Sequence, residues 1–160
     1  MADADVLIDY RDTDLGIVAL VAEHVARVTV VSQVLDEVRE VSHNDALRLG
    51  LDVVEPDIDQ LVEAGNRGSR MSFNDQLCFL LCRDEGWTCV TNDGALRRLR
   101  KQNGVATRYG LRLMVDLVQA RALSVERSIS IAQQIHANNP LHINKRVLER
   151  FIAAVRRLSS

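Results

Sequence analysis

The sequence predicts an α/β domain with a parallel sheet, followed by a helical extension. As far as about residue 106, short apolar runs alternate with amphipathic helical patterns. That alternation is typical of βαβ units. Beyond residue 107 only helical patterns remain. We therefore expect an α/β catalytic core at residues 1–106 and a helical extension at residues 107–160 packed on it, together forming a single domain of 160 residues.

Apolar and β-branched runs predict five strands, and the segments between them have the apolar spacing of helices. The predicted strands are residues 6–8, 28–31, 51–54, 87–91 and 105–107, and the predicted core helices are residues 15–25, 33–41, 58–64, 73–84 and 94–103. Ser32 is placed to cap the second of these helices, and Gly86 to end the fourth. The extension has three predicted helices, 111–122, 125–137 and 145–158, with Ser124 and Asn144 as caps of the last two.

The composition is that of a globular protein, with 47% hydrophobic and 26% charged residues. No apolar run approaches the roughly 20 residues of a membrane span, so we expect no membrane partner. The N-terminal segment is acidic, unlike a signal or transit peptide, and we expect a cytoplasmic location. Cys78, Cys82 and Cys89 are an odd number without a secretion signal, which indicates reduced thiols in the core.

The net charge of −2 hides an asymmetry between the two parts of the chain. Residues 1–106 hold 11 basic and 19 acidic residues, a balance of −8, whereas residues 107–160 hold 9 and 3, a balance of +6. A basic segment often contacts nucleic acid or an acidic partner, and a solvated helix face is the alternative. The candidates for contact with RNA phosphate are Arg97, Arg98, Arg100, Arg108 and Arg112.

Acidic residues fall where the carboxyl ends of the predicted strands would gather them. Asp3 and Asp5 lie at the first strand, Glu37 in the helix after the second, Asp75 in the first turn of its helix, and Asp93 after the fourth strand. Ligands of a parallel sheet bind at that edge. Carboxylates that meet in one pocket repel one another, which bound Mg²⁺ or Mn²⁺ would relieve. We therefore predict Asp3, Glu37, Asp75 and Asp93 as metal ligands and catalytic residues for phosphodiester hydrolysis.

Each acid also has a structural alternative. Asp75 follows Ser72 at the spacing of a capping box, and Asp93 could cap the helix after it. Glu37 could be a solvated helix acid. Asp5 and Asp9 fit the surface or a supporting role better than direct ligation.

Four segments together resemble the motifs of the PIN-domain nucleases. Residues 3–10 are similar to the opening motif, and residues 32–38, with Glu37 as the acid, to the second. Residues 72–77 resemble the third motif through Asp75, and residues 90–93 the fourth through Asp93. In the fourth, Thr91 takes the place of a supporting hydroxyl, while Ser32 and Asp5 are supporting residues of the second and first.

The resemblance implies a PIN-like three-layer fold with a central parallel sheet and Mg²⁺- or Mn²⁺-dependent cleavage of RNA. Many members are VapC-like toxins of toxin–antitoxin pairs, and many dimerise, so it also implies an antitoxin protein and a second copy of the chain as candidate partners. Ala95 stands where some of these toxins carry a further acid, and the long extension exceeds their compact plan.

The same acids are also compatible with two other kinds of protein. A phosphatase of the haloacid dehalogenase type would need a lysine and then an acid pair after the Thr91 position; only Lys101 and Lys145 are present, and no paired carboxylates follow. A catalytically silent PIN-like module that binds RNA or protein remains the main alternative. Replacement of the acids by amides separates it from a nuclease.

Overall fold

The computed structural model describes residues 1–66 and 71–158, of which 63% are in helices and only 7% in strands. The predicted fold class is therefore wrong. We expected a PIN-like three-layer fold around a central parallel sheet. Within the described residues, the strands form two small parallel pairs instead.

The two strand pairs are linked through the N-terminal segment. Strand β1 (Thr29–Val31) pairs with β2 (Asp52–Val54), and β3 (Cys89–Val90) pairs with β4 (Thr107–Arg108). Residues 1–3 run between them: the Ala2 amide donates to the Thr29 carbonyl at 2.8 Å, and the Val90 amide donates to the Met1 carbonyl at 2.8 Å. This segment makes only an isolated parallel bridge, Ala2 to Val90, and extends no further as a strand.

The predicted first strand, residues 6–8, lies inside helix α1 (Ala4–Arg11). Asp3 is the N-cap of this helix, and its side chain accepts a hydrogen bond from the Ala4 amide at 3.0 Å. Val6, Leu7 and Tyr10 are all buried, and their spacing of three and four residues is that of one helix face. The N-cap and the helical spacing explain why the chain turns into a helix after residue 3.

The other helices of the core mostly follow the predicted segments. They are α2 (Gly16–His24), α3 (Ser32–Glu37), α4 (His43–Arg48), α5 (Ile58–Asn66), α6 (Phe73–Glu85) and α7 (Gly94–Gln102). Helix α4 was not predicted. It begins with a capping box formed by Ser42 and Asp45.

Helix α3 differs from its prediction at both ends. It ends at Glu37 instead of continuing to residue 41, and Val31, not Ser32, is its N-cap. The Ser32 hydroxyl donates instead to Glu55, with an oxygen–oxygen distance of 2.6 Å. Ser32 therefore makes no cap.

Helix α6 has the ends that the sequence predicts. Ser72 and Asp75 form a capping box, in which each side chain accepts from the backbone amide of the other residue. Gly86 ends the helix in the left-handed conformation, at φ 67°, which glycine adopts without strain. The short strand β3 follows, and Asp93 then caps α7.

The C-terminal helices pack on the core. They are α8 (Leu111–Gln119), α9 (Val125–Asn138) and α10 (Lys145–Leu158). Their apolar residues Leu111, Met114, Val115, Val118 and Ile131 are all buried in the same hydrophobic cluster as the residues of the core, as the expected packing requires. Ser124 and Asn144 accept hydrogen bonds at the starts of α9 and α10, so both predicted caps are confirmed. The three cysteines are buried free thiols, as expected. Within the described residues, no helix combines the length and apolarity of a membrane span.

Candidate functional site

All four predicted acids line one cavity of about 270 Å³. Three of them lie at the start or end of a helix: Asp3 caps α1, Asp93 caps α7, and Glu37 is the last residue of α3. Asp75 lies in the first turn of α6. Five carboxylates contribute to the wall, whose residues are Asp3, Ala4, Asp5, Ile8, Glu37, Ser72, Asp75, Asp93, Leu96 and His142.

A buried arginine neutralises part of this acidic wall. Arg100 on α7 has a fully buried side chain, and its Nη1 donates to Asp3 Oδ2 at 2.9 Å. Its Nη2 donates to the backbone carbonyl of Asp75 at 3.2 Å and lies 3.6 Å from Asp75 Oδ1. Burial raises the pKa of Asp3, the Arg100 charge opposes that rise, and the nearby Asp75 adds to it. Arg100 therefore holds two of the acids in place.

Asp5 supports the fourth motif by hydrogen bonding. Its Oδ2 accepts from the Thr91 hydroxyl at 3.1 Å, from the Asn92 amide at 2.8 Å and from the Asp93 amide at 3.1 Å. The Thr91 hydroxyl also lies 3.2 Å from the Asp93 amide. Asp5 Oδ1 is buried and has no hydrogen-bond partner. Burial, with the charge of Asp3, raises the pKa of Asp5 to about 7 despite these hydrogen bonds.

Asp75 and Asp93 both cap helices while lining the cavity. Asp93 Oδ1 accepts from the amides of Ala95 and Leu96 at 2.7 and 3.1 Å. Asp75 Oδ2 accepts from the Ser72 amide at 3.1 Å. The capping alternative is thus realised at both positions, and each cap leaves one carboxylate oxygen outside it.

Glu37 is exposed, and its Oε1 accepts from Asn74 Nδ2. Asn74 Nδ2 also donates to the Gln33 carbonyl at 3.1 Å, so this amide connects α3 to the start of α6. Ser32, a predicted supporting residue, does not line the cavity. Its hydroxyl forms a hydrogen bond with Glu55, which does not line the cavity.

The carboxylate oxygens are of the kind that binds divalent cations, but the carboxylates do not lie close enough together to ligate one ion. Oxygen donors are what Mg²⁺ and Mn²⁺ prefer, and the unpartnered Asp5 Oδ1 adds one more. In the described part of the chain, however, no three His, Cys, Asp or Glu side chains are grouped closely enough to hold a metal ion. The reason is local: Asp3 faces Arg100, while Asp75 and Asp93 each use one oxygen on a helix start.

The predicted phosphate-binding arginines occupy different environments. The prediction that Arg100 contacts RNA phosphate is wrong. Its side chain is buried among Asp3, Asp75 and Cys89 and cannot reach a ligand at the surface. Arg97 lies 3.2 Å from the centroid of the Tyr109 ring. Arg108 and Arg112 both pair with Asp116, at 2.9 and 3.0 Å, although about half of each side chain stays exposed. Arg98 is exposed on α7, the helix that also brings Leu96 to the cavity.

Two features of the site were missed from the sequence. His142, between α9 and α10, lines the cavity, and no motif spacing pointed to it. Asn92 joins three segments, because its Nδ2 donates to Asp9 Oδ2 at 2.6 Å and its Oδ1 accepts from the Gly110 amide at 2.8 Å. A Cβ at Gly110 would come within 2.9 Å of Asn92 Oδ1, so this close approach requires glycine. The adjacency of Asn92 to Asp93 was the one available signal.

A second cavity, of about 570 Å³, lies against Trp87 and residues of all four strands. It is larger and mostly apolar. Its two acids are each paired, Asp52 with Arg27 at 2.8 Å and Asp116 with Arg108 at 2.9 Å. It therefore lacks the excess of carboxylates that distinguishes the smaller cavity, and we place the candidate site at the smaller one.

Comparison with known proteins adds no relative to this description. No family model, no curated protein and no solved structure matches the chain. The function is therefore inferred from the geometry of the acidic cavity and from the motif resemblance.

Proposed function

We propose that the protein is a Mg²⁺- or Mn²⁺-dependent endoribonuclease and that the acidic cavity is its active site. The observation that carries the proposal is the convergence of five carboxylates on a single cavity, from segments that are far apart in sequence. Such a concentration of negative charge is costly unless a cation neutralises it. The choice of RNA as substrate comes from the motif resemblance.

Asp3, Glu37, Asp75 and Asp93 would hold the cation, with Asp5 beside them. When bound, a divalent cation would supply the positive charge that stabilises phosphodiester hydrolysis. In the cation-free protein, Asp5 Oδ1 is an atom that can hold a proton near neutral pH, because the pKa of Asp5 is about 7. Thr91 and the amides of Asn92 and Asp93 orient that carboxylate.

The test is the Asp93→Asn variant in a cleavage assay with single-stranded RNA and Mn²⁺. Asparagine keeps an oxygen that can accept from Ala95 and Leu96, and it caps helices about as well as aspartate. Folding should therefore be preserved, whereas the loss of charge should reduce cleavage by about 10²-fold or more if Asp93 acts in catalysis. Melting curves check the folding. Equal cleavage by the two proteins would remove Asp93 from the active site and undercut the four-acid assignment.

A matched pair on α3 gives a second arm to this experiment. Glu37 and Asp36 are neighbouring exposed acids, but only Glu37 lines the cavity. Glu37→Gln should therefore lower cleavage and Asp36→Asn should not. A similar loss in both variants would point to a general charge effect and not to the site.

The second candidate function is a catalytically silent RNA- or protein-binding module. It is favoured by Arg100, which already neutralises Asp3 and Asp75, and by the absence of a grouped ligand set among the described residues. RNA binding with no Mn²⁺-dependent cleavage, unchanged in Asp93→Asn, would establish this alternative. An antitoxin partner and a homodimer stay predictions of the motif resemblance.

A further inference from the structure

We propose that the Arg100 guanidinium is an internal cation that permanently occupies one cation place of the acidic cavity, the place between Asp3 and Asp75. The inference rests on the proposed function, since it concerns how the same cavity takes up divalent ions. It assigns Arg100 a positioning role that the sequence did not suggest.

Arg100 lies between two acids, and its Nη1 also donates to Cys89 Sγ at 2.7 Å. Its side chain has no exposed surface, and the Asp3 side chain is only 5% exposed. It reaches Asp3 Oδ2 at 2.9 Å, the Asp75 carbonyl at 3.2 Å and Asp75 Oδ1 at 3.6 Å. A buried carboxylate is tolerated when it is paired and hydrogen-bonded, and Arg100 meets both conditions for Asp3. A guanidinium stays charged under all ordinary conditions, so this neutralisation is permanent.

Among the described residues, none of the other acids of the cavity pairs with a buried arginine in this way, although Asp93 interacts electrostatically with Arg97. Within residues 1–66 and 71–158, Asp5 accepts from a hydroxyl and two amides, Glu37 from an asparagine, and Asp93 from two backbone amides. These donors carry no net charge. The acids that remain for a divalent ion are therefore Asp5, Glu37 and Asp93, while Asp3 and Asp75 already face Arg100.

The role of Arg100 as an internal cation predicts a change in the number of Mn²⁺ ions that the protein binds. If Arg100 stands in for a cation, its replacement by a neutral residue should open a new place, and the Arg100→Gln variant should bind one more Mn²⁺ per chain than the wild type. The measurement is a titration of metal-free protein with Mn²⁺, with free Mn²⁺ followed by electron paramagnetic resonance. It needs no RNA and no cleavage activity.

Three further variants test whether the effect comes from the charge of Arg100 next to Asp3 and not from the loss of any arginine on the same helix. Arg98→Gln, an exposed arginine on the same helix, should bind as many ions as the wild type. Arg100→Lys keeps the charge and should also match the wild type. The double variant Asp3→Asn with Arg100→Gln lacks one acid of the new place and should lose the additional ion.

The outcomes also distinguish this inference from the proposed function. An additional ion in Arg100→Gln supports the internal cation, even if the wild type binds none. Absence of Mn²⁺ binding by the wild type would contradict the proposed metal-dependent activity. Equal counts in wild type and Arg100→Gln overturn the inference while leaving the proposed function intact when the wild type binds Mn²⁺. If Arg100→Gln is unfolded without metal, refolding by millimolar Mn²⁺, followed by circular dichroism, supports the inference. Failure to refold with Mn²⁺ overturns it.

Discussion

Acidic side chains in the cavity also have structural roles. Asp75 and Asp93 cap their helices, Asp3 caps α1 and pairs with Arg100, and Asp5 positions the turn before α7. Capping geometry fixes each carboxylate without a metal, because the amides at a helix start are strong and well-placed donors. The acids are therefore positioned by local backbone chemistry. Asp93 keeps one oxygen outside its cap, whereas both oxygens of Asp3 accept hydrogen bonds, from the Ala4 amide and from Arg100.

Asp5 gives a pH prediction for the metal-free protein. Its folded-state pKa of about 7 lies above the ordinary value of 3.8, so the folded state binds more protons than the unfolded state between these values. Its contribution therefore favours folding at low pH, and is lost as the pH rises through 7, with a slope of at most about 1.4 kcal/mol per pH unit.

The variant Asp5→Asn should remove this contribution, so that its stability relative to the wild type increases from pH 5 to pH 8. Urea unfolding of both proteins in EDTA at each pH measures the difference. Asp36→Asn, an exposed acid outside the cavity, serves as the control and should show no such trend. A constant difference between Asp5→Asn and the wild type would show that Asp5 does not titrate in this range.

Individual helices were predicted well where their signals are local. Helix α6 carries both its capping box and its terminal glycine in the sequence, and α9 and α10 carry their caps. The apolar run at residues 6–8 has no residue beside it that shows whether it is a strand or a helix, because a short apolar run fits either. The cap at Asp3 and the burial of Tyr10, one turn beyond Val6, belong to a helix.

The candidate site was predictable only in part, for a related reason. The acids at helix starts can be recognised from the residues beside them, and all four do line one cavity. Arg100 cannot be recognised in that way, because Arg97, Arg98 and Arg100 look alike in a basic amphipathic helix. Only the tertiary contacts with Asp3 and Asp75 separate the buried arginine from its exposed neighbour Arg98.

Helix α8 allows a matched test of packing. Leu117 on this helix is fully buried in the same hydrophobic cluster as the core, whereas Leu141, in the connection before α10, is 81% exposed. Leu117→Ala should lower the free energy of unfolding by about 2–5 kcal/mol, since it removes buried methylenes and leaves a cavity. Leu141→Ala should change it by less than about 0.5 kcal/mol. Denaturant unfolding measures both, and similar values for the two variants would contradict the packing of α8 on the core.

Across the whole molecule, hydrogen bonds and an ion pair connect the C-terminal helices and the segment before them to the N-terminal part. The Tyr10 hydroxyl donates to the Gly110 carbonyl at 2.8 Å, and Asn139 Nδ2 donates to Asp9 Oδ1 at 3.0 Å. Arg127 on α9 pairs with Asp14 at 2.6 Å. Together with the continuous hydrophobic cluster, these contacts mean that the helical extension and the core share their stabilising interactions.

These shared contacts predict one cooperative unfolding transition. Trp87, the single tryptophan, lies just before β3, so its fluorescence reports on the core, whereas far-ultraviolet circular dichroism reports on all helices, including α8 to α10. The two signals should give the same denaturation midpoint. Tyr10→Phe should shift both midpoints together, by a loss of about 1–3 kcal/mol, because the buried Gly110 carbonyl loses its donor. Tyr109→Phe, at a tyrosine that is only half-buried, should cost less. A tryptophan transition that stays in place while the helical signal moves would show that the extension unfolds separately from the core.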